Sequence, residues 1–353
     1  NSTGVDITCL AQRAPLSAAV AMTSVEPVPL AAAADIDAAM ARLAQGAVVW
    51  SARPVAERAA IVRRAGDLLD ERLAAYCGLL VKEAHKTLGD CVAEVREAVD
   101  FCRYYATQAE ALAASGDVLH GRGVFVCISP WNFPLAIFAG QVVAALVAGN
   151  TVAAKPAEQT PAVAARMVAL LHEAGVPTDA LALLHGPGET VGAGLVADAR
   201  TAGVCFTGST QVAQIIHRAL AAKPGGMVPL IAETGGLNAM LVDSTALPEQ
   251  VVDAVVQSAF RSAGQRCSAL RLLCVHEGIA DPLIEMLRGA MAELQVGDPA
   301  DLRTDVGPVI DDEAFVGISA QVQRLKREAR LLGETAVRSP FPRLVAPVAF
   351  ELP

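Results

Sequence analysis

The sequence predicts an α/β fold in which helices cover both faces of a parallel sheet. Between residues 124 and 221, short apolar runs alternate with stretches whose apolar residues recur every three to four positions. Repeated strand-then-helix units of this length are typical of parallel sheets. Upstream, from residue 35 to about residue 112, the spacing is helical throughout. We therefore expect a Rossmann-like domain that carries additional N-terminal helices.

Four strand–helix units make up the predicted sheet. The strands are expected at residues 124–129, 151–155, 181–184 and 203–206, and the helices that follow them at 135–147, 161–173, 189–197 and 211–221. In open α/β sheets, ligands bind beyond the carboxyl ends of the strands, where loops run into helix N-termini. The residues that follow each strand are therefore the first candidates for a binding site.

The rest of the chain divides into further parts. Residues 1–34 combine proline, alanine and small polar residues without a period, and are predicted to form a linker or N-terminal extension. We place a first domain at residues 35–234, with helices expected at 55–73, 73–83 and 91–105, and a second domain at residues 235–353.

Composition limits the classes to which this chain can belong. Its 353 residues suit about two globular units, and 53% apolar with 18% charged residues permits a large core. A net charge of −9 without a lysine- or arginine-rich block argues against a nucleic-acid partner. No apolar stretch reaches the roughly 18 uninterrupted residues that a membrane span needs, so no membrane contact is expected either.

The spacing of the cysteines indicates whether a metal site or disulfides are expected, and in which cellular compartment the protein would lie. The eight cysteines are scattered without a C-x-x-C pair, and no H-x-x-x-H spacing occurs, so neither a zinc site nor a disulfide framework is expected. Reduced thiols and the lack of a recognisable signal peptide favour a reducing compartment, the cytoplasm. Because the sequence opens at Asn1 rather than at methionine, we expect a piece of a longer protein.

Cys267 lies between a predicted helix and a predicted strand. Val255–Phe260 has helical spacing that Gly264 is expected to end, and Leu270–Val275 is a strand-like apolar run. A thiol at such a junction can reach a cleft. The alternative is an ordinary core cysteine, since free cysteines are among the most buried residues. A second candidate is Glu233, which follows an apolar run and precedes two glycines, because a carboxylate in apolar surroundings is costly without a function.

Polar residues follow each of the four predicted strands. They are, in order, Trp131–Phe133, Lys155–Glu158, Gly186–Gly192 and Thr207–Thr210. The third resembles a G-x-G-x-x-G phosphate loop but is one residue too long, so alone it is weak evidence. Gly208 and Ser209 are better placed, since helix N-terminal amides can meet a pyrophosphate. The alternatives are an ordinary N-cap at Ser209 and a solvated surface charge at Lys155, but four such loops at one edge favour a shared nucleotide cleft.

Five motifs resemble, in order and spacing, those of the NAD(P)-dependent aldehyde dehydrogenase superfamily. They are Pro130–Pro134, Lys155–Glu158, Phe206–Thr210, Glu233–Gly236 and Gly264–Cys267. Longer segments around the first, fourth and fifth motifs are similar to the L-glutamate-γ-semialdehyde (Δ1-pyrroline-5-carboxylate) dehydrogenase domain of the bifunctional proline utilisation A enzymes. The opening residues resemble the interdomain linker of those enzymes. The resemblance implies an NAD-binding domain at 35–234 and an aldehyde dehydrogenase-like catalytic domain at 235–353 that is C-terminally truncated.

The resemblance implies catalytic roles for three residues. Cys267 would attack the aldehyde carbon and form a thiohemiacetal. Asn132, through its side-chain amide, and the backbone N–H of Cys267 would stabilise the oxyanion. Glu233 would activate the water that hydrolyses the thioester remaining after hydride transfer to NAD+.

The resemblance also implies a cofactor site and a substrate site. The NAD residues would be Trp131, Lys155, Glu158, Gly188, Phe206, Gly208 and Ser209, and the substrate residues Phe133, Arg266 and Ser268. Glu158 would accept the ribose hydroxyls and repel a 2′-phosphate, which favours NAD over NADP. Arg266 could pair with an anionic substrate, favour the thiolate of Cys267, or be an ordinary surface cation. FAD is expected only in the proline dehydrogenase part of the parent protein.

The expected function is NAD+-dependent oxidation of L-glutamate-γ-semialdehyde to L-glutamate, the second step of proline catabolism. Its partners would be the small aldehyde, the proline dehydrogenase domain of the same parent chain and a second copy in a homodimer of the parent. The alternatives are a non-catalytic fragment of such an enzyme and a dehydrogenase for another small semialdehyde. A cysteine protease or thioesterase is disfavoured, because none of the six histidines lies in a recognisable signature.

Overall fold

The computed structural model describes residues 2–116 and 120–352, and these form two compact units. Unit 1 lies within Asn1–Ala84 and Cys91–Thr234, and unit 2 within His85–Asp90 and Gly235–Pro353. Asn1 and Pro353, the outer ends of the predicted linker and of the predicted second domain, lie outside the described residues.

Unit 1 begins with helices and continues with alternating strands and helices. The N-terminal helices are α1 (Leu10–Met22), α2 (Ala33–Ala52), α3 (Val55–Glu71), α4 (Leu73–Ala84) and α5 (Leu88–Ala113), whose residues 88–90 group with unit 2. The alternating elements are β1 (Val124–Ile128), α6 (Ala136–Val147), β2 (Thr151–Lys155), α7 (Pro161–Ala174), β3 (Leu181–Leu183), α8 (Ala193–Ala197), β4 (Thr201–Gly208), α9 (Thr210–Ala221) and β5 (Leu230–Thr234). A π-helical turn, Gly188–Gly192, precedes α8.

The strands of unit 1 form one parallel sheet. Their order is β3-β2-β1-β4-β5, and each neighbouring pair is parallel. The predicted α/β fold with a parallel sheet is confirmed, as are the four predicted strands and the helices after them. The structure adds β5 at the edge beside β4.

The core of unit 1 contains residues from both the N-terminal helices and the sheet. One cluster joins Leu43 of α2 to Val126 of β1, Val204 of β4 and Ile216 of α9. Close packing also constrains the sheet itself. A Cβ on Gly203 in β4 would lie 2.2 Å from the ring of Phe125 on β1, so only glycine fits there without displacing the ring.

Helix α1 lies inside the segment that the sequence predicted to be a linker. Its buried residues Leu16 and Val20 pack towards α4. Contact is close because Gly78 of α4 has no side chain: a Cβ there would lie 2.4 Å from Oγ1 of Thr23 and 3.0 Å from the carbonyl oxygen of Ala19. The helix was not predicted because its alanine-rich sequence has a weak period and an internal proline, Pro15. Tertiary packing outweighs that weak local signal.

Unit 2 contains two small sheets and three longer helices among its described residues. Its elements are β6 (Asn238–Val242), α10 (Pro248–Phe260), β7 (Leu270–Val275), α11 (Glu277–Glu293), α12 (Asp312–Glu328), β8 (Arg330–Glu334) and β9 (Val348–Glu351). β6 and β7 pair in parallel, whereas β8 and β9 are antiparallel. Val255 of α10, Leu270 of β7 and Leu287 of α11 lie in one core cluster.

Residues 85–90 group with unit 2, although the sequence analysis places them in the first domain. The reason is local: Asp90 binds Arg261 and Ser262, and the imidazole of His85 lies 2.9 Å from the guanidinium of Arg343. The assignment of cofactor binding and catalysis to separate domains stays a prediction. Along residues 2–116 and 120–352, no helix is both long and apolar enough to cross a membrane.

Gly203→Ala is expected to destabilise unit 1, because its methyl group would overlap the Phe125 ring. Overpacking of this kind costs about 1–3 kcal/mol. Both tryptophans, Trp50 and Trp131, lie in unit 1, so urea unfolding followed by tryptophan fluorescence reports on this unit. Gly194→Ala is the matched control. Its Cβ would meet the nearest atom at 3.7 Å, and alanine favours the helix, so no loss is expected. Equal midpoints for the two variants would contradict the packing described here.

Candidate active site

The carboxyl ends of β1 to β5 lie at one edge of the unit 1 sheet, because all five strands are parallel. From β1 the chain adds β2 and β3 on one side, and then β4 and β5 on the other. The strand order therefore reverses between β1 and β4. Ligands of open α/β sheets bind at such a reversal point. The loops after β1 and β4 carry several of the predicted site residues.

The loop after β1 contains Trp131, Asn132 and Phe133, all half-buried. A carboxylate from α5 holds the end of this loop: Oε1 of Glu94 accepts hydrogen bonds from the backbone N–H groups of Leu135 (2.9 Å) and Ala136 (3.2 Å). Glu94 is 1% exposed, and its acceptors cap the N-terminus of α6. Glu94 thus fixes where the Asn132 loop enters the helix.

Sequence reasoning missed Glu94. The available signal is an acidic residue on the apolar face of α5, where Cys91, Val95 and Ala98 are fully buried. A carboxylate in such a position must find donors, since a buried unpaired charge is costly. The sequence does not indicate which donors those are.

The loops after β2 and β3 converge on one another. Lys155, at the end of β2, is 4% exposed, and its Nζ donates to the carbonyl oxygen of Pro156 at 3.0 Å. Nζ also lies 3.8 Å from Oε1 of Glu158. The same Oε1 accepts a hydrogen bond from the backbone N–H of Gly188 at 2.7 Å. Three of the predicted cofactor residues are therefore brought together.

The alternative that Lys155 is a solvated surface charge is wrong. Burial lowers the pKa of the Lys155 ammonium, an effect that Glu158 partly offsets. A second buried base, His185, lies at the end of the β3 segment and was missed by sequence reasoning. Its own burial, followed by the charge of Lys155, lowers the pKa of His185. Perturbed groups beside a ligand-binding edge are typical of functional sites.

The end of β4 is shaped by an aromatic ring packed against glycine. Phe206 is 4% exposed, and a Cβ on Gly208 would lie 2.6 Å from its ring. Phe206 therefore supports the candidate site from within the core and contributes almost no exposed surface to it. Ser209, which follows, is the N-cap of α9, and its Oγ accepts a hydrogen bond from the N–H of Val212 at 3.2 Å. The N-cap interpretation is thus correct, and the first residues of the helix are exposed.

Glu233 is the penultimate residue of β5 and pairs in register with Thr207 of β4. It therefore lies at the same carboxyl edge as the other loops. Its side chain is exposed, so the expectation that it lies in apolar surroundings is wrong. The apolar run before it forms the strand, but at this sheet edge the strand itself is largely exposed.

Cys267 lies in unit 2, in the turn between α10 and β7, as its sequence context predicts. The thiol-bearing residue is exposed, which rules out the alternative of an ordinary core cysteine. Cys77 and Cys102 differ, because they are buried and burial raises the pKa of each thiol to about 12. Nucleophilic cysteine chemistry requires an accessible thiol, so Cys267 is a better candidate than these two buried cysteines.

The backbone around Cys267 is fixed by a side chain that sequence reasoning missed. Nδ2 of Asn238 donates to the carbonyl oxygens of Cys267 (2.7 Å) and Ala269 (3.0 Å). Asn238 begins β6, the strand that pairs with β7. A polar residue at a strand start has no special sequence signal, and only strand pairing brings it to the cysteine.

Arg266 is directed towards the end of α10. Its Nη2 donates to the carbonyl oxygens of Gln257 (2.6 Å) and Ser258 (3.1 Å), so it caps the C-terminal turn of the helix. Arg266 is half-buried, and burial lowers its pKa, which is not the behaviour of a plain surface cation. Its role towards substrate stays a prediction. Ser268, the other predicted substrate residue in unit 2, is exposed beside Cys267.

Within the described part of the chain, no group of three or more histidine, cysteine, aspartate or glutamate side chains is arranged to hold a metal ion. Unit 1 presents the exposed carboxylate of Glu233, the side-chain amide of Asn132 and the N-terminus of α9, and unit 2 presents the exposed thiol of Cys267.

Comparison with known proteins places this arrangement in a family. The aldehyde dehydrogenase family matches residues 12–347. The bifunctional protein PutA of Escherichia coli strain K12 is 54% identical over 299 residues, which cover 84% of this chain and 23% of that protein. A 1-pyrroline-5-carboxylate dehydrogenase of Geobacillus sp. strain WCH70 is 40% identical over 298 residues, 80% of this chain and 58% of that protein. The chain therefore spans only part of either relative.

A solved structure agrees with these relatives. The crystal structure of 1-pyrroline-5-carboxylate dehydrogenase from Thermus with bound NAD superimposes with a TM-score of 0.92 at 28% identity, over 100% of this chain and 78% of that one. The family match extends across both units and includes every predicted site residue. With its parallel sheet and its exposed cysteine between α10 and β7, this chain belongs to the aldehyde dehydrogenase family.

Proposed function

We propose that this chain catalyses the NAD+-dependent oxidation of L-glutamate-γ-semialdehyde to L-glutamate, with Cys267 as the nucleophile. The proposal rests on the exposed Cys267 in a chain of the aldehyde dehydrogenase family. Its backbone carbonyl group accepts a hydrogen bond from Asn238, which holds the turn. The choice of substrate is supported by the relatives, which are named PutA and 1-pyrroline-5-carboxylate dehydrogenase. We also infer that the full-length protein joins this activity to a proline dehydrogenase part, since the Escherichia coli relative is named as bifunctional.

The proposed chemistry divides into two stages. In the first, the Cys267 thiolate attacks the aldehyde carbon, and the carbonyl oxygen becomes an alkoxide bound to a tetrahedral carbon. The side-chain amide of Asn132 and the backbone N–H of Cys267 donate hydrogen bonds to that oxygen. Removing one donor of this kind typically slows the reaction roughly a hundred- to a thousandfold. Loss of a hydride from the tetrahedral carbon, for which bound NAD+ would be the acceptor, leaves a thioester on Cys267.

In the second stage, the carboxylate of Glu233 takes a proton from a water molecule. The water oxygen bonds to the thioester carbon, and the carbon–sulfur bond breaks to regenerate the Cys267 thiolate. The carboxylic acid that forms leaves and loses its proton to solvent, as does Glu233. The exposure of Glu233 at the sheet edge supports this role, because the residue must reach water.

The residues of unit 1 fit a dinucleotide. The reversal of strand order between β1 and β4 provides the crevice, and the N-terminus of α9 provides amides for a pyrophosphate. Gly208, where a side chain would strike Phe206, leaves the backbone accessible. We assign Lys155 and Glu158 to the adenosine ribose, with Gly188 and Trp131 along the same groove. Glu158 is suited to this role because it is exposed and already oriented by the Gly188 N–H.

Cys267→Ser is expected to lower aldehyde oxidation by roughly a thousandfold or more while leaving NAD+ affinity within about twofold, because only the nucleophile is removed. Turnover is followed by NADH absorbance and NAD+ affinity by calorimetry. Cys274→Ser is the matched control, since Cys274 is also exposed but lies on β7. Near-normal turnover in Cys267→Ser would refute the assignment.

Glu233→Gln is expected to slow the second stage more than the first, because glutamine cannot take the proton from water. Rapid mixing should show a burst of about one NADH per site followed by a slow steady state. Glu249→Gln, on the exposed side of α10, should behave as the unmodified protein. If acylation itself is lost in Glu233→Gln, the carboxylate instead deprotonates Cys267.

NAD+ should be preferred over NADP+, because Glu158 would accept ribose hydroxyls and repel a 2′-phosphate. The difference in kcat/KM between NAD+ and NADP+ is expected to correspond to about 1–3 kcal/mol. Glu158→Gln should narrow this gap, mainly by weakening the use of NAD+. Glu57→Gln, an exposed substitution on α3, serves as the control. Equal use of both cofactors by the unmodified protein would be incompatible with this role for Glu158.

A further inference from the structure

The turn that leads to Cys267 has a left-handed backbone. After α10 ends at Phe260, Ser262 and Ala263 have φ values of 53° and 54°, and Gly264 has a φ of 68°. Glycine adopts this conformation freely, but serine and alanine do so at a cost, since their Cβ crowds a carbonyl oxygen. Residues of this kind persist only where the surrounding structure holds them.

Asp90 supplies that support at the first half of the turn. Its Oδ1 accepts hydrogen bonds from Nε of Arg261, at 2.8 Å, and from Nη2 of the same guanidinium. Its Oδ2 accepts a hydrogen bond from Oγ of Ser262 at 3.0 Å. Asp90 is 7% exposed. A buried carboxylate is tolerated only when it is paired, and here both oxygens are bound to the turn.

Other side chains bind backbone carbonyl groups of the turn and of Cys267. Nη2 of Arg271 donates to the carbonyl oxygen of Gly264 at 2.6 Å, and Nε2 of Gln265 donates to that of Ser262 at 3.0 Å. Asn238 then holds the carbonyl oxygen of Cys267 itself. Two of the accepting carbonyl groups belong to the left-handed residues Ser262 and Gly264, and all of these contacts are made to the backbone. Asp90 differs from Arg271, Gln265 and Asn238 because it binds side chains, those of Arg261 and Ser262, where the left-handed path begins.

We propose that Asp90 is a positioning residue for Cys267. Through Arg261 and Ser262, it holds the left-handed turn that sets the position of the cysteine backbone. The carboxylate does not react itself. The inference rests on the proposed function of Cys267, and it explains why residues 85–90 group with unit 2. A misplacement of about 1 Å at a reacting group can cost roughly a hundredfold in rate, so a support of this kind has a measurable effect.

The test uses Asp90→Asn in the full-length protein. This substitution keeps the shape but removes the charge and one acceptor. We expect kcat to fall about ten- to hundredfold, with KM for NAD+ within about twofold, because unit 1 residues carry the cofactor. Asp301→Asn is the matched control, since Asp301 also accepts hydrogen bonds from a guanidinium in unit 2, that of Arg303. Its kcat should stay within about twofold.

A second readout separates positioning from general stability. Iodoacetamide alkylation of Cys267 is measured by mass spectrometry relative to Cys274, the other exposed cysteine of unit 2. We expect the ratio to fall at least about fivefold in Asp90→Asn, because only the Cys267 turn is disturbed. Loosening of unit 2 as a whole would change the alkylation of both thiols, Cys267 and Cys274. An unchanged or raised ratio would overturn the proposal.

Glycine at the strained position provides a rescue. In Asp90→Asn/Ala263→Gly, glycine adopts the positive φ without strain, so kcat and the alkylation ratio should recover at least about threefold from the single variant. Lack of recovery would mean that Asp90 does not act through the turn. If Asp90→Asn does not fold, Ser262→Ala removes one donor to Asp90 and should lower the alkylation ratio at least about twofold; an unchanged ratio there would equally overturn the proposal.

The two proposals can fail separately. If Cys267→Ser retains aldehyde oxidation, the proposed function is wrong, whatever Asp90 does. If Cys267→Ser abolishes oxidation while Asp90→Asn retains full kcat and the normal alkylation ratio, the function stands and the positioning role of Asp90 is wrong.

Discussion

All five strands of the unit 1 sheet run in the same direction, and the candidate cofactor site depends on this constraint. Parallel strands cannot be joined by short hairpins, so each connection returns through a helix and every loop that leaves a carboxyl end lies at the same edge. Segments distant in sequence are therefore collected along one edge: the Asn132 loop, Lys155 with Glu158, the Gly188 turn and Ser209. Glu233 lies there too, because β5 adds to the sheet in the same direction.

Buried charge is used repeatedly to fix the segments that carry the candidate residues. Glu94 caps the helix that follows the Asn132 loop, and Glu83 accepts from the N–H groups of Ala162 and Val163 at the start of α7. Burial raises the pKa of Glu83, while those two N–H groups lower it. Asp90 serves a related purpose in unit 2, with side-chain donors in place of amides. In each case, desolvation of a carboxylate is offset by donors whose positions thereby become fixed.

Two residues illustrate how one charge pattern can have different meanings. In the sequence, Lys155 and Arg266 are both cations near a predicted site, and for both a surface charge was a reasonable alternative. In the structure, both have pKa values lowered by burial, but their hydrogen bonds differ. Lys155 lies beside Glu158 at the edge where a ligand would bind, whereas Arg266 is bound to the last carbonyl groups of α10. Hydrogen-bond partners, rather than charge or burial, distinguish the cation at the candidate cofactor edge from the cation that caps a helix.

The sequence by itself determined the features that depend on local pattern. Periods of apolar residues predicted the strands and helices of the parallel sheet, and the helix–strand junction placed Cys267 in an accessible turn. Family motifs then supplied the candidate roles. Only the tertiary structure decided the features that depend on partners distant in the chain: helix α1 packed on α4, Glu94 beneath the Asn132 loop, Asn238 on the carbonyl of Cys267, and Asp90 on a turn that begins 171 positions later. The physical reason is that a polar residue within an apolar pattern indicates, from the sequence alone, that it must have a hydrogen-bond partner once buried. Which residue is that partner depends on the path of the folded chain.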